Sequence, residues 1–392
     1  MTTSTIQPTD KMYRLGTESA FDVLAKAEAL ARTGKPIINL GIGQPDFKTP
    51  PHVVEAAIKA LRDGHHGYTP APGIPELREA VAEDIKARRG VDVEPERIVV
   101  VPGGKVTMFF AILMFGDAGT EILYPNPGFP IYESVINFTG AKAVPIPLLE
   151  EKDFSFDADA VLASITPNTR LLIINSPANP TGGAIARAEV DKLVAGLAAH
   201  PHVAILSDEI YDRMTYDGRE HVSLLNYPEI RDRLILLNGW SKTYAMTGWR
   251  MGYGVWPEGL AEMATRLAIN CHSCVNAATQ YAGIAALKGP QDFVEEMVTA
   301  FDKRRKVIVD GLNSLPGVTC RTPGGAFYAF PNITGTGLTS QQVQDRLLEE
   351  AGVATISGTS FGSYGEGYVR FSYANSVENI EAALEKARKA LG

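Results

Sequence analysis

The sequence predicts an α/β fold, with a large domain built on a mostly parallel seven-stranded sheet sandwiched by helices and a smaller α+β domain beside it. Three observations lead there. Seven apolar, β-branched runs, at 97–101, 121–124, 143–146, 170–175, 203–208, 234–238 and 251–255, read as strands. Between several of them lie helical patterns, at 157–165 and 189–199, with apolar residues at three-to-four spacing. Near-continuous apolar strands alternating with helices imply a parallel sheet buried on both faces. After about residue 288 the pattern changes to a long helix over 291–315, a strand pair within 318–330, a helix at 340–350, two short strands and a closing helix at 377–391. An amphipathic stretch at 14–35 is expected to pack on this second layer or to reach a neighbouring subunit. The expected division is an amino-terminal arm at 1–46, a large domain at 47–288 and a small carboxy-terminal domain at 289–392.

The chain's 392 residues, 45% hydrophobic and 21% charged, suffice for two domains. A net charge of −8 argues against a nucleic-acid partner, which needs a basic face to neutralise phosphates. The longest mostly apolar run, 106–115, falls short of the ~18 residues of a membrane span, and residues 1–16 lack the apolar core of a signal peptide, so a cytoplasmic location is expected. Cys271, Cys274 and Cys320 are too few for a disulfide framework and are expected as buried free thiols. The seven histidines show no metal-ligand spacing, so no metal is expected.

The chemistry concentrates in Ser241-Lys242-Thr243-Tyr244-Ala245-Met246-Thr247-Gly248-Trp249-Arg250-Met251, just after an apolar strand. Lys242 is an amine that can form a Schiff base with an aldehyde once its ammonium pKa is lowered, and Arg250 offers a planar fork suited to a phosphate. Asp208 ends the run 203–208 and precedes Glu209-Ile210-Tyr211. A carboxylate there can hold a proton on a buried pyridine nitrogen, although an isolated aspartate at a strand end also serves as a cap or turn residue. In Asn175-Ser176-Pro177-Ala178-Asn179-Pro180-Thr181-Gly182-Gly183, prolines and glycine fix the backbone, so Asn179 can aim its amide into a pocket; Asn-Pro alone means only a turn. Pro102-Gly103-Gly104-Lys105 opens a helix after a strand, where backbone amides can meet a phosphate or simply make a turn. Arg370, in the alternating run Gly367-Tyr368-Val369-Arg370-Phe371-Ser372-Tyr373, can clamp a carboxylate bidentately, or stand solvated on a strand.

These strings, in this order, resemble the motifs of the class I/II aminotransferases of fold type I, over nearly the whole chain from about 19 to 391. The resemblance implies pyridoxal 5'-phosphate as cofactor, bound to Lys242 as a Schiff base, and a small domain made from both chain ends. It implies that Asp208 partners the pyridine nitrogen, that Asn179 and Tyr211 bond the ring oxygen, and that Phe129, in Pro125-Asn126-Pro127-Gly128-Phe129, stacks on the ring. Ser241, Arg250 and the amides of Gly103, Gly104 and Lys105 fall where the family binds the phosphate. Tyr68, in Gly67-Tyr68-Thr69-Pro70, resembles the tyrosine that crosses to the neighbouring subunit's phosphate, which implies a homodimer with shared active sites. Arg370, Asn179 and Gly43, in Gly41-Ile42-Gly43-Gln44-Pro45-Asp46, match the substrate carboxylate site. The implied activity is ping-pong transfer of an amino group from an L-amino acid to a 2-oxo acid such as 2-oxoglutarate or pyruvate, with Lys242 as proton shuttle. No residue is assignable to a distal carboxylate, and Phe21, Ile42 and Phe129 suggest an apolar wall, so aspartate, alanine and aromatic or branched donors stay open. A carbon–sulfur lyase or β-eliminase on the same scaffold is the alternative reaction, and a non-enzymatic effector-binding module the alternative role. The absence of a basic amino-terminal extension argues against the latter.

Overall fold

A computed structural model describes residues 6–392. Its centre is one seven-stranded sheet of β2 (Ile98–Val101), β3 (Glu121–Asn126), β4 (Lys142–Pro147), β5 (Thr169–Asn175), β6 (Ala204–Asp208), β7 (Leu234–Gly239) and β8 (Gly252–Val255), in the spatial order β2-β8-β7-β6-β5-β3-β4. Strand β1 (Ile38–Asn39) lies outside it. Strands β3 to β7 pair in parallel, while β8 runs antiparallel to both its neighbours. Every residue of β2, β3, β6, β7 and β8 is buried, as two-sided helical cover requires. That cover comes from α2 (Pro51–Arg62), α3 (Pro75–Arg89), α4 (Lys105–Phe115), α5 (Ile131–Thr139), α6 (Ala158–Ala163), α7 (Arg187–Leu197), α8 (Leu260–Cys271) and α9 (Ala277–Lys288), with α1 (Ser19–Arg32) preceding them. Two apolar clusters divide along the faces: Val100, Leu172, Ile205 and Leu236 belong to one, Val99, Leu171, Leu206 and Leu237 to the other. This is the two-residue alternation of side chains across a strand.

The carboxy-terminal layer is held by α10 (Asp292–Asn313) and α12 (Val377–Leu391), which enclose a third cluster containing Phe301, Ile308, Phe327, Tyr373 and Ile380. Its strands are β9 (Tyr328–Ala329), β10 (Val353–Ala354), β11 (Ile356–Ser357) and β12 (Val369–Ser372). Strand β12 sits between β11 and β9, and β1 pairs in parallel with β10, so an amino-terminal strand is built into the carboxy-terminal layer. The run 318–330, expected as a strand pair, is shorter: only Tyr328–Ala329 forms ladder, joined by an isolated bridge between Thr319 and Asn332. Gly324, Gly325 and Pro323 interrupt it, and Pro323 has no N–H to donate. The helix expected at 340–350 is α11 (Ser340–Arg346), opened by a Thr339–Gln342 capping box and continued by a π-turn at Leu347–Ala351.

Of the cysteines, only Cys320 is buried; Cys271 is exposed and Cys274 half-buried, at the end of α8, where the chain leaves the packed helix surface. No helix among the described residues is long and apolar enough to cross a membrane.

The fully buried Phe301 stacks on Phe327 with ring centroids 5.2 Å apart and anchors the carboxy-terminal layer. Phe301→Ala is expected to destabilise that layer by ~4 kcal/mol, read as an earlier or split urea transition.

Candidate active site

The carboxyl ends of adjacent parallel strands are where ligands bind in open α/β sheets. Here they deliver the reactive groups side by side. Asn175 ends β5 and Asp208 ends β6, opposite each other in the ladder, and Lys242 comes after β7 by a short turn. Beyond β3 the chain reaches Phe129, and beyond β2 it turns through Gly103 into α4. These ends open into a cavity of about 580 Å³ whose walls include Gly43, Gly104, Lys105, Phe129, Asn179, Asp208, Tyr211, Ser241, Lys242, Arg250 and Arg370. Eleven of the sequence-predicted residues therefore converge on one space. Gly103 stands behind the wall: its φ of +89° is the left-handed conformation glycine favours, and a Cβ there would collide with the Arg250 guanidinium. Gly252 makes a related allowance, since a Cβ on it would strike the Gly104 amide and separate the loop from β8. Tyr68 is the exception, 93% exposed and outside the cavity, its loop braced where Gln280 Nε2 donates to Thr69 Oγ1 at 2.9 Å.

Asp208 is only 8% exposed. The Tyr132 hydroxyl donates to its Oδ2 at 2.6 Å and the Ile210 amide to its Oδ1 at 3.2 Å. Burial outweighs these donors and lifts the carboxyl to about 6, so a cation placed beside it would be stabilised. The turn after Asp208 is braced from behind by a buried ion cluster: Arg89 contacts Glu209 at 2.8 Å and Asp212 at 2.7 Å, Arg88 reaches Asp212 at 2.8 Å, and His221 meets Glu209 at 2.8 Å. Arg89 and His221 overcome burial and hold Glu209 down at about 2.

Lys242 is half-buried, its open side facing the cavity it lines, and its amine donates to the Gly43 carbonyl. Burial first, then the Arg370 and Arg250 charges, lower its pKa to about 8. Gly43 admits no side chain, because a Cβ would run into the Tyr328 hydroxyl. Tyr211 and Tyr328 share a hydroxyl–hydroxyl hydrogen bond of 2.7 Å, and burial pushes the Tyr211 phenol well above its ordinary value.

Arg370, central in β12, is buried. Its Nη1 donates to Asn179 Oδ1 at 2.8 Å, its Nη2 donates to the Gly41 carbonyl, and its Nε is buried with no partner. Arg370 also lines the cavity, so its guanidinium charge is within reach of an anion bound there. Three contributors escaped the sequence reading. Tyr132 entered it only as a flank of the Phe129 string, with no link to Asp208, Tyr328 looks like any aromatic in an apolar strand, and Glu18 lies in a segment read only as amphipathic. The Lys105 side chain also reaches the wall, where it pairs with Glu18 and lies 5.2 Å from the Phe129 ring centroid.

Residues 35–386 match the family model for aminotransferase class I and II. The chain belongs to this family. It is 42% identical to an aspartate aminotransferase of Pyrococcus horikoshii over 357 residues, 91% of this chain and 90% of that protein. It is 39% identical to aromatic-amino-acid aminotransferase 2 of Thermococcus litoralis, over 92% of this chain and 93% of the relative. The crystal structure of the aspartate aminotransferase of Rhizobium meliloti superposes with a TM-score of 0.94 at 36% identity, covering 98% of this chain and 99% of that one. The aminotransferase thus acts on amino and 2-oxo acids with pyridoxal phosphate as cofactor.

The cavity fits that cofactor. A glycine loop and helix N-terminus beside Ser241 and Arg250 suit a phosphate, the desolvated Asp208 suits a protonated ring nitrogen, and the Lys242 amine suits an aldehyde.

A lowered lysine pKa means that the neutral amine is favoured, so Lys242 in cofactor-free protein should be trapped by an aldehyde and borohydride at a rate that rises through pH 8 rather than 10.5. Arg370→Leu removes a repelling charge and should move that midpoint upward; an unchanged midpoint would show that the arginine does not tune the amine.

Proposed function

We propose that the enzyme transfers the amino group of a dicarboxylic amino acid, aspartate or glutamate, to a 2-oxo acid such as 2-oxoglutarate, and takes uncharged or aromatic side chains as secondary donors. The observation that carries this reading is the distribution of cations: Arg250, Lys242 and Arg370 leave one more, Lys105, on the same cavity wall. In this reading Arg250, Ser241 and the amides of Gly103, Gly104 and Lys105 hold the cofactor phosphate. Arg370 holds the substrate α-carboxylate together with Asn179 and the Gly43 backbone, and the Lys105 ammonium meets the distal carboxylate. Relatives named for aspartate support the acidic donor, and the apolar surface of Phe21, Ile42, Phe129 and Phe361 supports the secondary ones.

Bound here, pyridoxal phosphate supplies an aldehyde for the amino group and a protonated ring that draws electrons from the substrate α-carbon. Asp208 would keep the ring proton in place, because burial disfavours its charged carboxylate and a cation beside it offsets that cost. Tyr132 orients that carboxylate by donating to it. The Tyr211 phenol, steered by Tyr328, and the Asn179 amide would hold the cofactor's ring oxygen, and Phe129 would pack on its ring. Lys242, released as a free amine, would take the α-proton from the substrate and hold it, and a pKa near 8 suits both taking and giving up a proton near neutrality. Arg370 orients the α-hydrogen toward Lys242 by fixing the carboxylate.

Residues 47–288 act as the cofactor-holding unit, and 1–46 with 289–392 as the unit that brings Arg370 and the arm to the substrate. Tyr68 completes the phosphate site of a second copy, which its exposure on a braced loop favours and which makes the active enzyme a homodimer.

Lys242→Ala should abolish the yellow colour and the borohydride-reducible link to the cofactor; retention of the link in that variant would sink the assignment. Lys105→Met should lower kcat/KM for aspartate at least about tenfold while changing phenylalanine little, measured donor by donor. Mixing Lys242→Ala with Tyr68→Leu, each inactive or weak alone, should regenerate activity, because a mixed dimer carries one intact site; strictly additive activity would refute sharing between subunits.

A further inference from the structure

Glu18 has no part in the scheme above, yet its side chain lines the cavity and its carboxylate is paired with Lys105. It is the last extended residue before α1, at φ −95° and ψ 102°, and Ser19, Ala20 and Phe21 continue along the same wall. Its position is tethered. Gly16 N donates to Ser134 Oγ at 2.8 Å, and the Arg14 guanidinium donates to the carbonyls of Asn137 at 2.7 Å and Phe138 at 3.0 Å, all on α5. The carboxylate is therefore held against Lys105, which among the described residues is the cavity cation that the reading above does not commit to phosphate, α-carboxylate or proton transfer.

We infer that Glu18 is a specificity-determining residue, a built-in stand-in for the distal carboxylate of a dicarboxylic substrate. It occupies Lys105 when the pocket is empty or holds an uncharged side chain, and it releases the lysine when a dicarboxylate enters. This inference rests on the reading of Lys105 as the distal-carboxylate contact.

Three observations support the exchange. The first is charge. Glu18 acts on both Lys242 and Arg370, raising the pKa of each against burial, so its negative charge is felt where the substrate sits. A substrate carboxylate that replaces it restores the same charge, and the reactive amine experiences little change between substrate classes. The second is the environment of Lys105. Its ammonium lies 5.2 Å from the Phe129 ring centroid and pairs with the Glu18 carboxylate, so without Glu18 it keeps the ring contact but loses the anion that neutralises it. The third is that the pair can be displaced. The Glu18 side chain is 16% exposed and that of Lys105 43%, so the ion pair is partly solvated and weak enough to be exchanged.

The test monitors the first half-reaction of the holoenzyme in single turnover, by the cofactor's absorbance, with aspartate and phenylalanine as donors. E18Q should tighten apparent binding of aspartate and weaken that of phenylalanine, changing the ratio of their rate constants by at least about fivefold in favour of aspartate. In a K105M background the same E18Q substitution should leave the ratio unchanged, because the charge that Glu18 neutralises is gone. An E18Q enzyme that shifts both donors alike, as general misfolding would produce, or that leaves the ratio within about twofold while K105M still selectively loses aspartate, overturns the inference and leaves the role of Lys105 standing. A K105M enzyme that treats both donors as the wild type does overturns the reading of Lys105, and the role given to Glu18 with it.

Discussion

Desolvation at the carboxyl ends of β5, β6 and β7 is the constraint on which the rest of the site depends. Asp208 and Lys242 stand at adjoining strand ends, and burial moves their pKa values toward each other, to about 6 and about 8. In water the same groups would be a plain carboxylate and a plain ammonium whose titrations lie far apart. The sheet enforces the burial because both its faces are covered, and the ladder between β5 and β6 places Asn175 opposite Asp208 without freedom to slip. The segment after β6 cannot drift either, since Arg88 and Arg89 clamp Glu209 and Asp212 from the side away from the cavity.

The carboxy-terminal layer contributes the opposite kind of group, a buried cation. Arg370 tolerates burial because Asn179 and the Gly41 carbonyl accept from it, one from the large sheet's loops and one from the amino-terminal segment. The pairing of β1 with β10 explains how Gly41 and Gly43 arrive there: the amino-terminal segment enters as a strand of that layer and continues directly into the cavity wall. The arm, the two layers and the cavity are thus one arrangement of charges, in which each buried charged group meets a partner or faces the space a ligand fills.

Much of this was legible in the residues. The strand runs and the alternation with helices located the sheet, because a two-sided buried strand leaves a continuous apolar signature, and the long helices α10 and α12 were readable from their periodicity. Lys242, Asp208, Asn179 and Arg370 were legible because each sits in a string whose prolines, glycines or flanking strand residues restrict the backbone. Tyr132, Tyr328 and Glu18 were not. Each acts through a contact across more than seventy residues of chain, with Asp208, Tyr211 and Lys105 respectively, and no local spacing records such a contact. Tyr68 is the converse case, recognisable in sequence yet exposed and outside the cavity of a single chain.

The sequence by itself determined the α/β class, the order of the elements and the inventory of reactive side chains, since backbone preference and apolar periodicity are local properties. It did not decide how those side chains are tuned or which of them share a wall. The lowered amine, the raised carboxyl, the orphaned Arg370 nitrogen and the Glu18–Lys105 pair exist only after folding, because desolvation and proximity are properties of three-dimensional packing and not of any segment of the chain.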